Sequence, residues 1–288
     1  MLGAILLSLL AHIGFAGNDL SGAIGARKMD SARMALYAWI CGSVLFAILT
    51  PFLFHNALIL KPFIVNAVLG IELAVSYPLF LQTLVKGNPT INGVIAGTFP
   101  IWVVIFSLIF FGESLTGAQA ISAVVIFVGI ILSSLHLKRR TKLKSLMNRY
   151  SLLALIVSLM WGINFAFVRY PIEQYGWFEA NIVTQVFATV SSIIFLSPII
   201  RRHKKEKFKK EDLKWPISNA LFGVTSGMAY NFALTLTSSS IVAPIAGSYP
   251  GLYAIASYFI FKEKLTRQQI VGVVMVLIGV ISLSFFSL

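Results

Sequence analysis

The sequence predicts an all-α integral membrane protein with ten transmembrane helices, arranged as two inverted five-helix repeats. Three observations predict it: ten apolar windows of spanning length, basic residues confined to alternate loops, and an internal repeat at a shift of 150 residues.

Composition sets the class. Of the 288 residues, 58% are hydrophobic and 11% are charged, against roughly 25% charged in an ordinary soluble domain. A soluble body of this size could not hide so much apolar surface, because it must still face water. Lipid removes that limit. Windows of about 20 apolar residues fall at 3–22, 33–54, 63–85, 90–111, 117–135, 151–170, 180–200, 215–236, 239–261 and 267–287; they are numbered spans 1 to 10. Only Thr237 and Ser238 separate spans 8 and 9, but the run is too long for one crossing. Span 1 lacks a basic leader and a small-residue cleavage pattern, which predicts a retained helix rather than a signal peptide. The single cysteine, Cys41, can build neither a disulfide framework nor a metal cluster by itself.

Charge gives orientation. The net charge is +13, yet no basic patch with interleaved aromatics lies on a polar scaffold, so nucleic-acid binding is not expected. With loops numbered by the preceding span, the odd loops and their flanks hold 21 of the 23 Lys and Arg, leaving Lys61 and Arg169 on the other side. Odd loops are therefore expected in the cytoplasm and both termini outside, in a cell (inner or plasma) membrane. The main basic linker, His136 to Tyr150, divides a first repeat (1–136) from a second (151–288), with 137–150 between them. A second basic loop runs from Arg201 to Lys214.

The repeat is explicit. At a shift of 150, Ile95-Ala96-Gly97 meets Ile245-Ala246-Gly247, Pro100 meets Pro250, Phe111 and Glu113 meet Phe261 and Glu263, and Leu115-Thr116 meets Leu265-Thr266. Gln119 meets Gln269 and Gly129 meets Gly279, all without a gap. Ile13-Gly14 more loosely resembles Trp161-Gly162. Five spans per half is an odd number, so the second half is expected to enter the membrane in the opposite sense, the plan of many secondary transporters with a mid-membrane site.

These residues resemble the EamA family of the drug/metabolite transporter superfamily. The resemblance rests on Pro100, Gly112-Glu113-Ser114-Leu115-Thr116, Gln119 and Gly129, and on Pro250, Glu263-Lys264-Leu265-Thr266, Gln269, Gly272 and Gly279. Trp161-Gly162-Ile163-Asn164-Phe165, which opens the second half, is also similar to the family. The resemblance implies alternating access and export or exchange of small metabolites such as amino acids. It also implies that spans 1, 3, 4, 6, 8 and 9 line a cavity, with 5 and 10 peripheral. The sequence departs from the family in carrying Ile13-Gly14-Phe15-Ala16-Gly17-Asn18 where a Trp-Gly opening is expected. Relatives place both termini in the cytoplasm, opposite to the charge tally.

Polar groups inside spans need a reason, because lipid gives them no partner. Glu72 lies near the middle of span 3, and its repeat counterpart is Phe222. A carboxylate at that depth suits proton coupling, or a hydrogen bond to a neighbouring helix. His12 and Asp19 in span 1 are seven apart and share a face; they suit a proton relay or mutual satisfaction. Asp19 joins Glu72 as a proton-coupling candidate, and Asn18 lies beside it. In span 6, Asn164 is deep, whereas Arg169 near the exit is expected to snorkel.

Span 8 carries the stripe Asn219, Ser226 and Tyr230, and span 7 the stripe Gln185, Thr189 and Ser192. Either suits a wet cavity or interhelical hydrogen bonding, with bonding favoured for span 7. Pro100 and Pro250 interrupt the backbone ladder where irregular backbone is tolerated if it lines a cavity. Gly93, Gly97, Gly247 and Gly251 suit close helix contact. Tyr77, Trp102, Trp161, Tyr249 and Tyr253 supply amphipathic surface. Glu113 and Glu263 are expected to hold tight turns, each before a Thr able to cap the next helix.

No P-loop, His-Glu-x-x-His or Gly-x-Ser-x-Gly motif occurs, and no cofactor or metal is expected. The expected function is a secondary transporter of small amphipathic metabolites, with the bilayer and a small molecule as partners and a monomer or weak homodimer as the assembly. An intramembrane enzyme using His12 with Asp19 or Glu72, or a lipid-flipping or non-transporting subunit, are the alternatives.

Overall fold

The structure, a computed structural model, describes residues 1–87, 89–134, 148–202, 209–250, 252 and 266–287. Among these residues every regular element is helical. Spans 1 to 3 are α1 (Leu2–Met29), α2 (Ser31–Leu53) and α3 (Leu60–Lys86). Span 4 is broken into α4 (Pro89–Ala96) and α5 (Phe99–Phe110), and span 5 is α6 (Gly117–Ser134). Span 6 is α7 (Arg149–Phe167) continued by α8 (Arg169–Tyr175), and span 7 is α9 (Trp177–Arg202). A 3-10 turn, Lys210–Leu213, leads into α10 (Lys214–Leu234), which is span 8. The first part of span 9 is α11 (Ser239–Ala246), and span 10 is α12 (Arg267–Phe285). The narrow split between spans 8 and 9 is real: α10 ends at Leu234 and α11 starts at Ser239. Most of the linker's basic residues, Lys138 to Lys144, lie outside the described residues.

Among the described residues, seven helices are long and apolar enough to cross a membrane: α1, α2, α3, the α4–α5 pair from Ile91 to Phe110, the α7–α8 pair, α9 and α12. Of the other three windows, α6 is apolar but shorter. Span 9 is incompletely described. Helix α10 is long enough, but Asn219, Ser226 and Asn231 lower its hydropathy, and all three are buried inside the bundle. The outer faces are apolar instead. Leu6, Leu10 and Ile13 on α1, Ile121 and Val124 on α6, and Leu277, Ile278 and Ile281 on α12 are exposed, a surface that suits lipid and would aggregate in water.

Local chemistry sets the helix starts. Thr116 and Gln119 bond reciprocally at the start of α6, Thr116 N to Gln119 Oε1 at 2.9 Å and Gln119 N to Thr116 Oγ1 at 3.3 Å. Thr266 and Gln269 repeat this capping box at α12. Each satisfies backbone N–H groups that a helix start leaves without partners. The expected Thr caps are therefore present in both halves. Asn148 caps α7 by accepting from Tyr150 N and Ser151 N.

The helices pack in matched pairs. Helix α1 runs along α10 as α3 runs along α7; α9 lies on α3 as α10 lies on α2; α11 meets α1 as α4 meets α7. Of the remaining main contacts, α2 with α9, α5 with α11 and α6 with α12 join equivalent spans, and α5 also lies on α7. Apart from α5 on α7, whose counterpart in span 9 lies outside the described residues, exchanging the halves maps these contacts onto themselves. Helices α6 and α12 form a close pair around Ile126, Ile130, Val276 and Leu283, in a cluster shared with Ile5 of α1 and Ile241 and Ile245 of α11. A Cβ on Gly129 would lie 2.7 Å from Val276 N, so the glycine is what permits that approach.

The breaks in spans 4 and 9 cross each other. A Cβ on Gly97 would lie 3.0 Å from Pro250 Cγ, and a Cβ on Gly247 would overlap Pro100 Cγ. Each proline thus rests on the other half's glycine. Thr98 Oγ1 donates to Ile95 O at 2.6 Å, and Ser248 Oγ donates to Ile245 O at 2.7 Å, so both breaks are held by the same side-chain bond.

Candidate functional site

A cavity of ≈ 170 Å³ lies between the two halves. From the first half, α1 contributes Phe15, Asn18 and Asp19, α3 contributes Leu73 and Tyr77, and α5 contributes Phe99. From the second, α7 contributes Trp161, Asn164 and Phe165, α10 contributes Asn219, Ser226 and Asn231, and the break in span 9 contributes Tyr249. The spans that the resemblance implied are all represented. Two further helices also line it: α2 through Trp39 and Gly42, and α9 through Asn181, Thr184 and Gln185.

One side of the cavity is polar. The Tyr249 hydroxyl donates to Asp19 Oδ2 at 2.7 Å. Asn18 Nδ2 donates to Asn219 O at 3.0 Å, and Asn219 Nδ2 donates to Asn18 O at 2.6 Å and to Ser21 Oγ at 3.3 Å. The Tyr77 hydroxyl and the Trp39 indole N–H are buried without a hydrogen-bond partner. Helices α1 and α10 come close enough for this because Gly14, Gly17 and Gly223 replace side chains between them; a Cβ on Gly14 would lie 2.6 Å from Ser226 Cβ.

The opposite seam joins α3 to α7. Asn164 Nδ2 donates to Leu69 O at 2.9 Å and to Glu72 Oε2 at 2.7 Å. Trp161 Nε1 donates to Ser76 Oγ at 3.1 Å. Leu69 is the repeat counterpart of Asn219, so the same carbonyl position in each half accepts from an asparagine on the other half's first helix. Glu72 Oε1 is buried with no partner. Aromatic rings fill the space between the seams: Phe15 lies 5.4 Å from Phe165 and 5.9 Å from Tyr249, centre to centre, and Trp161 lies 4.8 Å from Phe80.

Of the residues expected from the sequence, Asn18, Asp19, Tyr77, Trp161, Asn164 and Tyr249 line the cavity. Glu72 stands one hydrogen bond behind it, on Asn164. His12 is elsewhere: its Nδ1 lies 3.0 Å from Ser248 Oγ and 3.3 Å from Ile245 O, at the break in span 9. His12 and Asp19 share a helix face but have separate partners, because seven residues of helix rise about 10 Å. Pro100 packs on Gly247, and Trp102 packs on Gly162 and stacks with Phe106. Tyr230 is fully buried, its hydroxyl donating to Phe165 O at 3.3 Å. Tyr253, Gly251 and Glu263 lie outside the described residues.

Two expected roles change. Arg169 does not snorkel to solvent alone; it bonds Glu113 and, at 2.6 Å, Glu173. Glu113 does more than hold its own turn: its two oxygens accept from Ser239 N and Ser240 N, both at 2.8 Å, and so cap α11 of the other half. Gln185, favoured as a packing group, both bonds Trp39 O at 2.8 Å and lines the cavity. Phe15, Trp39 and Asn181 were not singled out in the sequence; the aromatic after Gly14 was the available signal for Phe15.

A model of the EamA-like transporter family matches residues 2–135 and again residues 148–285. The chain belongs to the EamA-like transporter family. The family falls within the drug/metabolite transporter superfamily, and its members are membrane transporters. The twofold EamA-like match coincides with the matched packing of the halves. An uncharacterized protein of Methanocaldococcus jannaschii is 27% identical over 136 residues, which span 46% of this chain and 94% of that protein. That relative is therefore about one EamA-like half in length. A protein of known crystal structure, 11% identical, superposes over 98% of this chain and 96% of its own with a TM-score of 0.79, a likeness of fold.

Proposed function

We propose that this chain is a secondary active transporter that carries small amphipathic metabolites across a cell membrane by alternating access. The observation that carries the proposal is the cavity between the halves, walled by Asp19, Tyr77 and Phe99 on one side and Trp161, Asn164, Asn219 and Tyr249 on the other. A site shared by two matched units can open to either face when one unit rocks against the other. The odd number of spans in each half supports an inverted relation between them, and the basic odd-numbered loops support a cytoplasmic placement for that end. The aromatic walls suit an apolar body and the polar side suits a head group. Glu72, held through Asn164 at the edge of the cavity, serves as the proton-coupling group in this scheme. The chain acts as a monomer or weak homodimer and requires no cofactor.

Counterflow tests the proposal. Proteoliposomes preloaded with a candidate metabolite are expected to take up the labelled compound faster than empty ones. Absence of exchange across a panel of amines, amino acids and organic acids would rule transport out in favour of a non-transporting subunit.

A further inference from the structure

The cavity has an unequal supply of hydrogen-bonding groups. Its only charged lining side chain, among the described residues, is Asp19. Asp19 receives one hydrogen bond, from Tyr249 to Oδ2, which leaves Oδ1 for an occupant. Three of the six amide side chains that line the cavity have both N–H groups committed to the protein. Asn164 Nδ2 serves Leu69 O and Glu72; Asn219 Nδ2 serves Asn18 O and Ser21 Oγ; Gln185 Nε2 serves Trp39 O and Thr189 Oγ1. An amide nitrogen has two hydrogens, so these three have none to spare, while their carbonyl oxygens remain. The uncommitted donors are all neutral: the Trp39 indole, the Tyr77 hydroxyl and the remaining amide hydrogens of Asn18, Asn181 and Asn231.

An anionic head group would face a carboxylate here and meet no cation. A cationic one would find a carboxylate, amide oxygens and aromatic faces. Phe15 lies 5.9 Å from Tyr249, centre to centre, and Trp39 lies 5.9 Å from Tyr77, so two aromatic pairs flank the carboxylate. Ring faces attract ammonium groups, most strongly where water is excluded.

We infer that Asp19 is the counter-ion for an ammonium group, and that the cavity takes small amines with an apolar or aromatic body in preference to acids or zwitterions. This rests on the transport reading for its physiological meaning, but the binding claim stands on its own. The carboxylate supplies the charge, Tyr249 orients it, and the rings of Phe15, Phe99 and Trp161 take the apolar body.

Equilibrium binding to the full-length protein in detergent micelles tests this with four probes of one shape: phenethylamine, phenethyl alcohol, phenylalanine and phenylpropionate. Phenethylamine is expected to bind more tightly than its uncharged alcohol, and phenylpropionate least tightly. In Asp19→Asn, phenethylamine is expected to weaken by about 30-fold or more, as when one partner of a desolvated charge pair is removed, while the alcohol changes little. Tyr249→Phe should weaken the amine by a smaller factor. If the wild-type protein binds the amine no better than the alcohol, or prefers the zwitterion or acid, the inference is overturned without any variant. Counterflow with the same probes separates the two claims. Exchange of phenylalanine but not phenethylamine would keep the transporter and sink the amine preference; tight amine binding without exchange of any probe would do the reverse.

Discussion

Asn18 and Asn219 donate to each other's backbone carbonyls, at 3.0 and 2.6 Å, and so clasp the first helix of one half to the third helix of the other. Each bond is made beside the cavity rather than in lipid. Each bond runs from one side chain to the other residue's backbone carbonyl, so truncating either residue removes one bond and leaves the other in place. Asn18→Ala and Asn219→Ala are each expected to cost about 1 kcal/mol, and the losses are expected to add in the double variant. Thermal unfolding in detergent measures them; a large coupling would mean that the two bonds form only together.

Gly247 is where α11 meets Pro100 of the other half. A Cβ there overlaps the proline ring, and the backbone of both broken spans is fixed by side-chain bonds. Gly247→Ala is expected to cost about 1–3 kcal/mol through overpacking. The control is Gly93→Ala, whose Cβ would meet only Leu84 at 3.8 Å. A variant at Gly247 as stable as the control would show that the crossing is looser than described.

Glu113 carries two backbone N–H groups of α11 and the Arg169 guanidinium. Glu113→Ala removes the cap and leaves the arginine to Glu173 alone. The expected loss is about 2 kcal/mol, read as a lower unfolding midpoint. Glu173→Ala, at a side chain that is 46% exposed, is expected to cost about 1 kcal/mol or less, as exposed pairs do.

Glu72 presents a buried oxygen without a partner and passes its other oxygen to Asn164. Glu72→Gln keeps the shape and removes the ionisable group. Flux in proteoliposomes is expected to respond to an imposed proton gradient in the wild type and to lose that response in the variant, with the unfolding midpoint within a few degrees. An unchanged response would assign coupling elsewhere, with Asp19 next in line.

The sequence carried the spans because long apolar runs bounded by basic loops are a strong, local signal. It carried the broken spans through Pro100 and Pro250, and the helix starts through Thr116 and Thr266. It carried the cavity in part. Asp19, Asn164 and Asn219 are conspicuous polar residues in apolar runs, so their depth alone marks them. Partners were not legible: Asp19 meets Tyr249, and His12 meets Ser248, across more than 200 positions, and the periodicity of one helix does not say which other helix it faces. Trp39 stayed hidden and Gln185 was favoured as a packing group for the same reason, since a tryptophan or a glutamine in a span looks identical whether it faces a neighbour or a hollow. Arg169 looked like an interface anchor because its partner Glu113 sits 56 positions earlier, on the other repeat.

The acid that lines the cavity, Asp19, and the acid behind it, Glu72, both belong to the first half, and where Glu72 stands the second half has Phe222. A pair of identical subunits would carry every such acid in duplicate, each facing its twin across the symmetry axis. Joining unlike copies in one polypeptide frees the chain from that arithmetic. A lone negative charge can then sit off-centre, and a passenger entering the hollow meets two unlike walls.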